Sequence, residues 1–190
     1  MSAWDGGCRV PFIARWPGHI PAGWESDEIL STMDLLPTFA SIAGAKLPNV
    51  ALDGLDARAF LLKETNDSPR EEYLYYSGSL LTGVRSGNWK LVLPRVGAPS
   101  GLGWWGRMIE AVPGTMLYNF DDSTDESTSV AGENPAVVAD LMARIERARQ
   151  ELGDIDRVGS GARFFDEGPR KLQVPIKRKP RRDQSSGLAK

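Results

Sequence analysis

The chain has 190 residues, 41% hydrophobic and 25% charged, with a net charge of −2. That is the composition of an ordinary globular protein, long enough for one domain with a sizeable core or a core plus a small appendage. No apolar run approaches the roughly 18 residues of a membrane span, no basic start with an apolar stretch marks a signal peptide after Met1, and a single cysteine excludes an internal disulfide.

In chain order, Trp4-Asp5-Gly6-Gly7 signals a tight entry into a strand. Val10 to Trp16 is apolar apart from Arg15 and ends at Pro17-Gly18, which predicts a short buried strand closed by a turn. Asp34 to Gly44 reads as a helix with Leu35, Leu36, Phe39, Ile42 and Ala43 on one face, Asp34 as its N-cap and Gly44 as its stop. A turn-rich connector through Asp53-Gly54 leads to an apolar segment, Leu55 to Leu62, and the polar stretch from Lys63 to Glu72 reads as a subdomain boundary.

Beyond it, Glu72 to Ser77, Leu80 to Ser86 and Trp89 to Leu93 read as strands, the last two joined by a hairpin turn at Ser86-Gly87-Asn88. A fourth strand at Leu117 to Phe120 is reached through a Gly/Pro/Trp-rich loop, Pro94 to Gly114. Asn134-Pro135 then opens a helix whose apolar face is Val137, Val138, Leu141, Ile145, Ala148 and Leu152, ended by Gly153. An antiparallel sheet with this helix across it is the economical arrangement, because each has an apolar face to bury. From Pro169 to Lys190, eight basic residues and one acid give +7 against −9 elsewhere. With few large apolar residues, this tail is expected to be disordered. No aromatics interleave with its charges, so nucleic acid is not the expected partner.

Individual residues carry little chemistry. His19 lies in a turn without partners at metal or acid-base spacing, and reads as structural. Asp5, Asp34, Asp53 and Asp56 do not make a metal site, and Asp121, Asp122, Asp125 and Glu126 lack the spacing and central Gly of a calcium loop, so they read as a solvated acidic loop. Trp104-Trp105 could stack on a sugar or aryl ring, or plug their loop onto the sheet.

The order Trp4-Asp5-Gly6-Gly7-Cys8-Arg9-Val10-Pro11, then Trp16-Pro17-Gly18, resembles the stretch of the type I sulfatases that leads into a late strand. The family pattern is Lys-x-x-x-(Trp/Tyr)-(Glu/Asp)-Gly-Gly-x-Arg-x-Pro. Asp34-Leu35-Leu36-Pro37-Thr38 with Ala43 to Asp56, Val84 to Leu91, and Leu117 to Asp122 with Glu126 are similar to later family segments in the same order, in the arylsulfatase A and N-acetylgalactosamine-6-sulfatase group.

The resemblance implies an α/β fold class: the C-terminal part of an alkaline-phosphatase-like sulfatase fold. Residues 1–62 would carry the last strand and helix of the large domain, 63–168 a four-stranded antiparallel sheet with a helix, and 169–190 the basic tail. It implies a sulfuric ester hydrolase that uses calcium and a formylglycine made from Cys/Ser-x-Pro-x-Arg, with a sulfate-contacting Lys one position before Met1. Cys8 is followed by Val10 and Phe12 where that motif requires Pro and Arg, so it is not the nucleophile. No catalytic residue, metal ligand or cofactor is therefore assigned in this chain. Trp4 and Asp5 are placed on the rim of the substrate site, where packing at the tight strand entry is the favoured role, and Trp104 and Trp105 near it. An inactive fragment whose partner is the N-terminal sulfatase portion is the leading expectation. A free-standing glycan- or protein-binding module and a nucleic-acid-associated protein acting through the tail are the alternatives. No membrane association is expected. Full-length relatives are usually exported, periplasmic or lysosomal, and nothing in this chain fixes a location.

Overall fold

The computed structural model describes residues 3–97, 111–122 and 124–163. Trp104, Trp105 and the basic tail at 169–190 lie outside the described residues. The chain opens with a single helical turn, α1 (Asp5–Cys8). Val10 to Trp16, expected as a buried strand, is irregular and exposed, with Ile13 at 90% of its full exposure. An apolar run becomes a strand only when an edge is available for its backbone. The chain's longer strands are all paired with one another.

After a 3-10 turn at Thr32–Asp34 comes α2 (Leu35–Ala43), which ends at Gly44 in the left-handed conformation, φ 63°. Asp34 does not cap α2 as expected. Its carboxylate instead completes a capping box around the 3-10 turn, accepting from the Ser31 N–H at 2.8 Å while the Ser31 hydroxyl accepts from the Met33 N–H. Thr38 Oγ1 donates to the Asp34 carbonyl at 2.6 Å and accepts from the Ala57 N–H at 2.9 Å, which docks the short helix α3 (Arg58–Leu61). Gly54 is required here because a Cβ would lie 2.0 Å from the Met33 carbonyl oxygen. The polar stretch after α3 is tied down: Ser68 Oγ donates to the Ile29 carbonyl at 2.6 Å, and Arg70 reaches Asp34 and the Asp53 carbonyl.

The expected apolar face of α2 is largely uncovered, with Leu36 and Phe39 each 56% exposed. Val10, Phe12 and Ile13 are exposed as well, so the chain leaves several large apolar side chains uncovered. The purified chain is therefore expected to self-associate, its elution volume falling as concentration rises. A sharp monomeric peak at every concentration would contradict this.

The sheet is antiparallel and strictly sequential: β1 (Glu72–Ser77), β2 (Leu80–Ser86), β3 (Trp89–Val92) and β4 (Met116–Asn119). A bulge falls between Tyr75 and Tyr76. Against one face lies α4 (Pro135–Glu151), whose Leu141, Ile145 and Ala148 pack with Leu81, Val84, Leu91, Leu93 and Leu117. Pro135 occupies the first helical position, but the Asn134 side chain donates to the Val130 carbonyl rather than capping the helix. Leu152, expected on the buried face, is exposed. The helix stops at Glu151, and Gly153, at φ 99°, turns the chain into a small hairpin of β5 (Gly153–Asp154) and β6 (Arg157–Val158). The opposite face of the sheet is also covered. Ala3 is fully buried there with Tyr75, Val92, Val112 and Tyr118, flanked by Trp4 and Cys8.

Candidate functional site

The face of the sheet opposite α4 holds the main polar cluster. Side chains alternate along β3, so Trp89 and Leu91 point toward α4 while Lys90 and Val92 point to the other face. Lys90 is fully buried, and its Nζ lies 2.7 Å from Asp5 Oδ1 and 2.5 Å from Glu126 Oε1. The Asp5 backbone N–H donates to Glu126 Oε2 at 2.8 Å, closing a ring between α1, β3 and the loop after β4. The ammonium also sits 4.5 Å from the centre of the Tyr75 ring, and the Phe120 ring centre lies 4.8 Å from the Arg85 guanidinium and 5.8 Å from the Lys90 ammonium. A buried cation requires such partners, since an isolated charge cannot be held away from water.

Trp4 meets Tyr118 edge to face, with ring centroids 6.0 Å apart. Trp4 and Asp5, the two described residues expected on the substrate rim, are thus held against the sheet. Burial pushes the Tyr75 and Tyr73 phenols upward, so both stay protonated at neutral pH. Burial also raises the Cys8 thiol, offset only in part by Lys90, and a protonated thiol is a poor nucleophile.

Glu126 departs from its reading as part of a solvated loop. Asp121 and Asp122 are exposed and accept from the Asn88 and Asn119 amides, but Glu126 turns inward to Lys90. His19 is an exposed turn residue stacked on Trp16 at 3.9 Å between ring centroids.

Calcium takes six to eight oxygen ligands, typically from several carboxylates and carbonyls. Here Asp5 and Glu126 are committed to Lys90, and both oxygens of Asp34 are occupied by Arg70, Ser31 and Leu55. Among the described residues no group of three or more His, Cys, Asp or Glu is placed to hold a metal ion. These residues do not fit the calcium that the resemblance implies.

Residues 2–92 match the family model described as N-sulphoglucosamine sulphohydrolase, C-terminal. Arylsulfatase A of Bos taurus is 45% identical over 94 residues, covering 47% of this chain and 18% of that protein. Arylsulfatase G of Canis lupus familiaris is 31% identical over 161 residues, covering 82% of this chain and 29% of that protein. The chain corresponds to a C-terminal portion of the type I sulfatase family. A solved Bacteroides thetaiotaomicron structure, described under the metabolism of multiple glycosaminoglycans, superimposes on this sulfatase portion with a TM-score of 0.62 at 27% identity. It covers 78% of this chain and 30% of that one, so the sulfatase portion spans less than a third of each of these three proteins. The four-stranded antiparallel sheet with its helices is the C-terminal subdomain of that α/β fold.

Reading the sequence alone missed Lys90 and Glu126 as partners of Asp5. One signal was available: once the alternation of β3 is fixed, Lys90 falls on a face otherwise made by Tyr75, Val92 and Tyr118, which demands a buried anion.

Proposed function

We propose that this chain supplies the C-terminal subdomain of a sulfuric ester hydrolase of the arylsulfatase type, and that it has no turnover of its own. The observation that carries the reading is the placement of Asp5. The segment that resembles the family's substrate-side motif is fixed to the C-terminal sheet through Lys90 and Glu126, as expected of a subdomain that buttresses an active site built elsewhere. The N-terminal sulfatase portion is the proposed partner. It would bring the formylglycine that attacks sulfur and the calcium that offsets the sulfate charge. Among the described residues neither is supplied: the Cys8 thiol is held protonated, and the buried carboxylates answer cations of the protein itself.

The purified chain is expected to give no hydrolysis of an aryl sulfate with or without added calcium, because enzymatic acceleration of a million-fold or more needs a nucleophile and charge stabilisation together. Calcium-dependent turnover by the chain alone would overturn the reading. An in-frame Gly-Lys immediately ahead of codon 1, with Cys/Ser-x-Pro-x-Arg a few hundred residues earlier, would support it.

A further inference from the structure

We propose that Lys90 is a positioning residue: from the middle of the C-terminal sheet it latches the Trp4–Cys8 segment in place, so that the sheet sets the position and direction of the backbone at the substrate rim. This rests on the sulfatase reading for what the segment does, but not for the latch itself.

α1 has little stability of its own. It is one turn of four residues with Gly6 and Gly7 inside it and no buried residue of its own, far below the length at which a helix is stable alone. The segment after it is irregular and exposed. Apolar contact comes from Ala3, Trp4 and Cys8, while the polar ring ties Asp5 to residues 85 and 121 positions further along the chain. Asp5 contributes its carboxylate to Lys90 and its backbone N–H to Glu126, so both the side chain and the backbone of the segment are fixed at one residue. Without Asp5, Lys90 and Glu126 still neutralise each other within the sheet unit. The latch can therefore be opened without leaving the buried ammonium unpaired.

Cys8, three residues on and half-buried, reports the opening. In the full chain, Asp5→Asn is expected to raise the rate of Cys8 labelling by a water-soluble aromatic disulfide at least about tenfold, the change that follows when a local opening loses a charge-assisted hydrogen bond. Asp5→Glu, which keeps the charge, should label at the parental rate. Lys90→Met should also label faster. That direction separates opening from a field effect: Asp5 raises the Cys8 thiol pKa and Lys90 lowers it, so field changes alone would make the two variants move oppositely. Hydrogen exchange across α4 should stay at parental protection in Asp5→Asn. Parental labelling in Asp5→Asn, opposite shifts in the two variants, Asp5→Glu as fast as Asp5→Asn, or α4 opening in step with Cys8 would each overturn the latch. Should Lys90→Met fail to fold, hydrogen exchange at the α1 amides takes its place, because it does not follow the Cys8 thiol pKa: faster exchange in Asp5→Asn supports the latch, and parental exchange overturns it. These outcomes leave the functional reading untouched, just as aryl sulfate turnover by the chain would overturn that reading and leave the latch standing.

Discussion

Leu141→Asp is expected to abolish the cooperative unfolding of the unit formed by β1–β4 and α4. Leu141 is buried at the centre of the helix–sheet contact, between Val84, Leu91 and Leu117 on one side and Ile145 and Ala148 along the helix. Losing a core Leu costs about 2–5 kcal/mol, and a carboxylate placed there adds several kcal/mol of uncompensated desolvation. Together these approach the roughly 5–15 kcal/mol that holds a domain folded. Urea titration followed by far-UV circular dichroism should show the main transition lost. Ala139→Asp, on the exposed side of the same helix, should leave the midpoint close to that of the parent. A native transition in Leu141→Asp would mean that α4 is not packed on the sheet.

The second large effect is expected at Asp34. Its fully buried carboxylate accepts from the Ser31 and Leu55 N–H groups at 2.8 Å and from Arg70 Nε at 2.8 Å and Nη2 at 2.5 Å. Asp34→Ala leaves the mostly buried guanidinium and both amides without their acceptor, a loss of about 3–5 kcal/mol for a buried pair broken on one side. Burial by itself would raise the Asp34 carboxyl, but the Arg70 guanidinium and the Leu55 and Ser31 N–H groups outweigh it and hold the group below its ordinary value. A carboxyl with a depressed folded pKa contributes stability that is complete above the unfolded pKa of about 3.9 and is lost as pH falls from there through the folded value. The urea midpoint of the parent should therefore drop below about pH 4, and Asp34→Ala should be less stable at neutral pH with a smaller drop on acidification. Equal midpoints for the two proteins at neutral pH would refute the clamp.

The sheet was legible because its signals are local. Tight turns at Gly78 and Gly87, alternation within the strands, and the apolar stripe on α4 are each carried by neighbouring residues, and all four strands fall within a residue or so of their expected limits. The Val10 to Trp16 segment was misread because apolarity measures the wish to be buried, whereas a strand also needs an edge that lies elsewhere. Leu152 was misplaced because a periodic face continues in sequence after Gly153 has turned the backbone. At the candidate site, Trp4 and Asp5 could be singled out from their motif, but their partners could not. Lys90 and Glu126 meet Asp5 only after three distant segments have folded together, and the acidic run around Glu126 looks uniform until one member turns inward.

The sequential strand order also sets a timetable. The β1–β2 and β2–β3 hairpins each close a short loop, so their contacts form early and at small entropic cost, while β4 returns across a longer connection. Asp5 waits for Lys90 and then for Glu126, with 85 and 121 positions of chain between. On the ribosome, the first residues of this chain emerge long before their binding partners exist, and the N-terminal turn docks only after the sheet that receives it has been made. The contact between the N-terminal turn and the sheet is in this way completed only after Glu126 has been made.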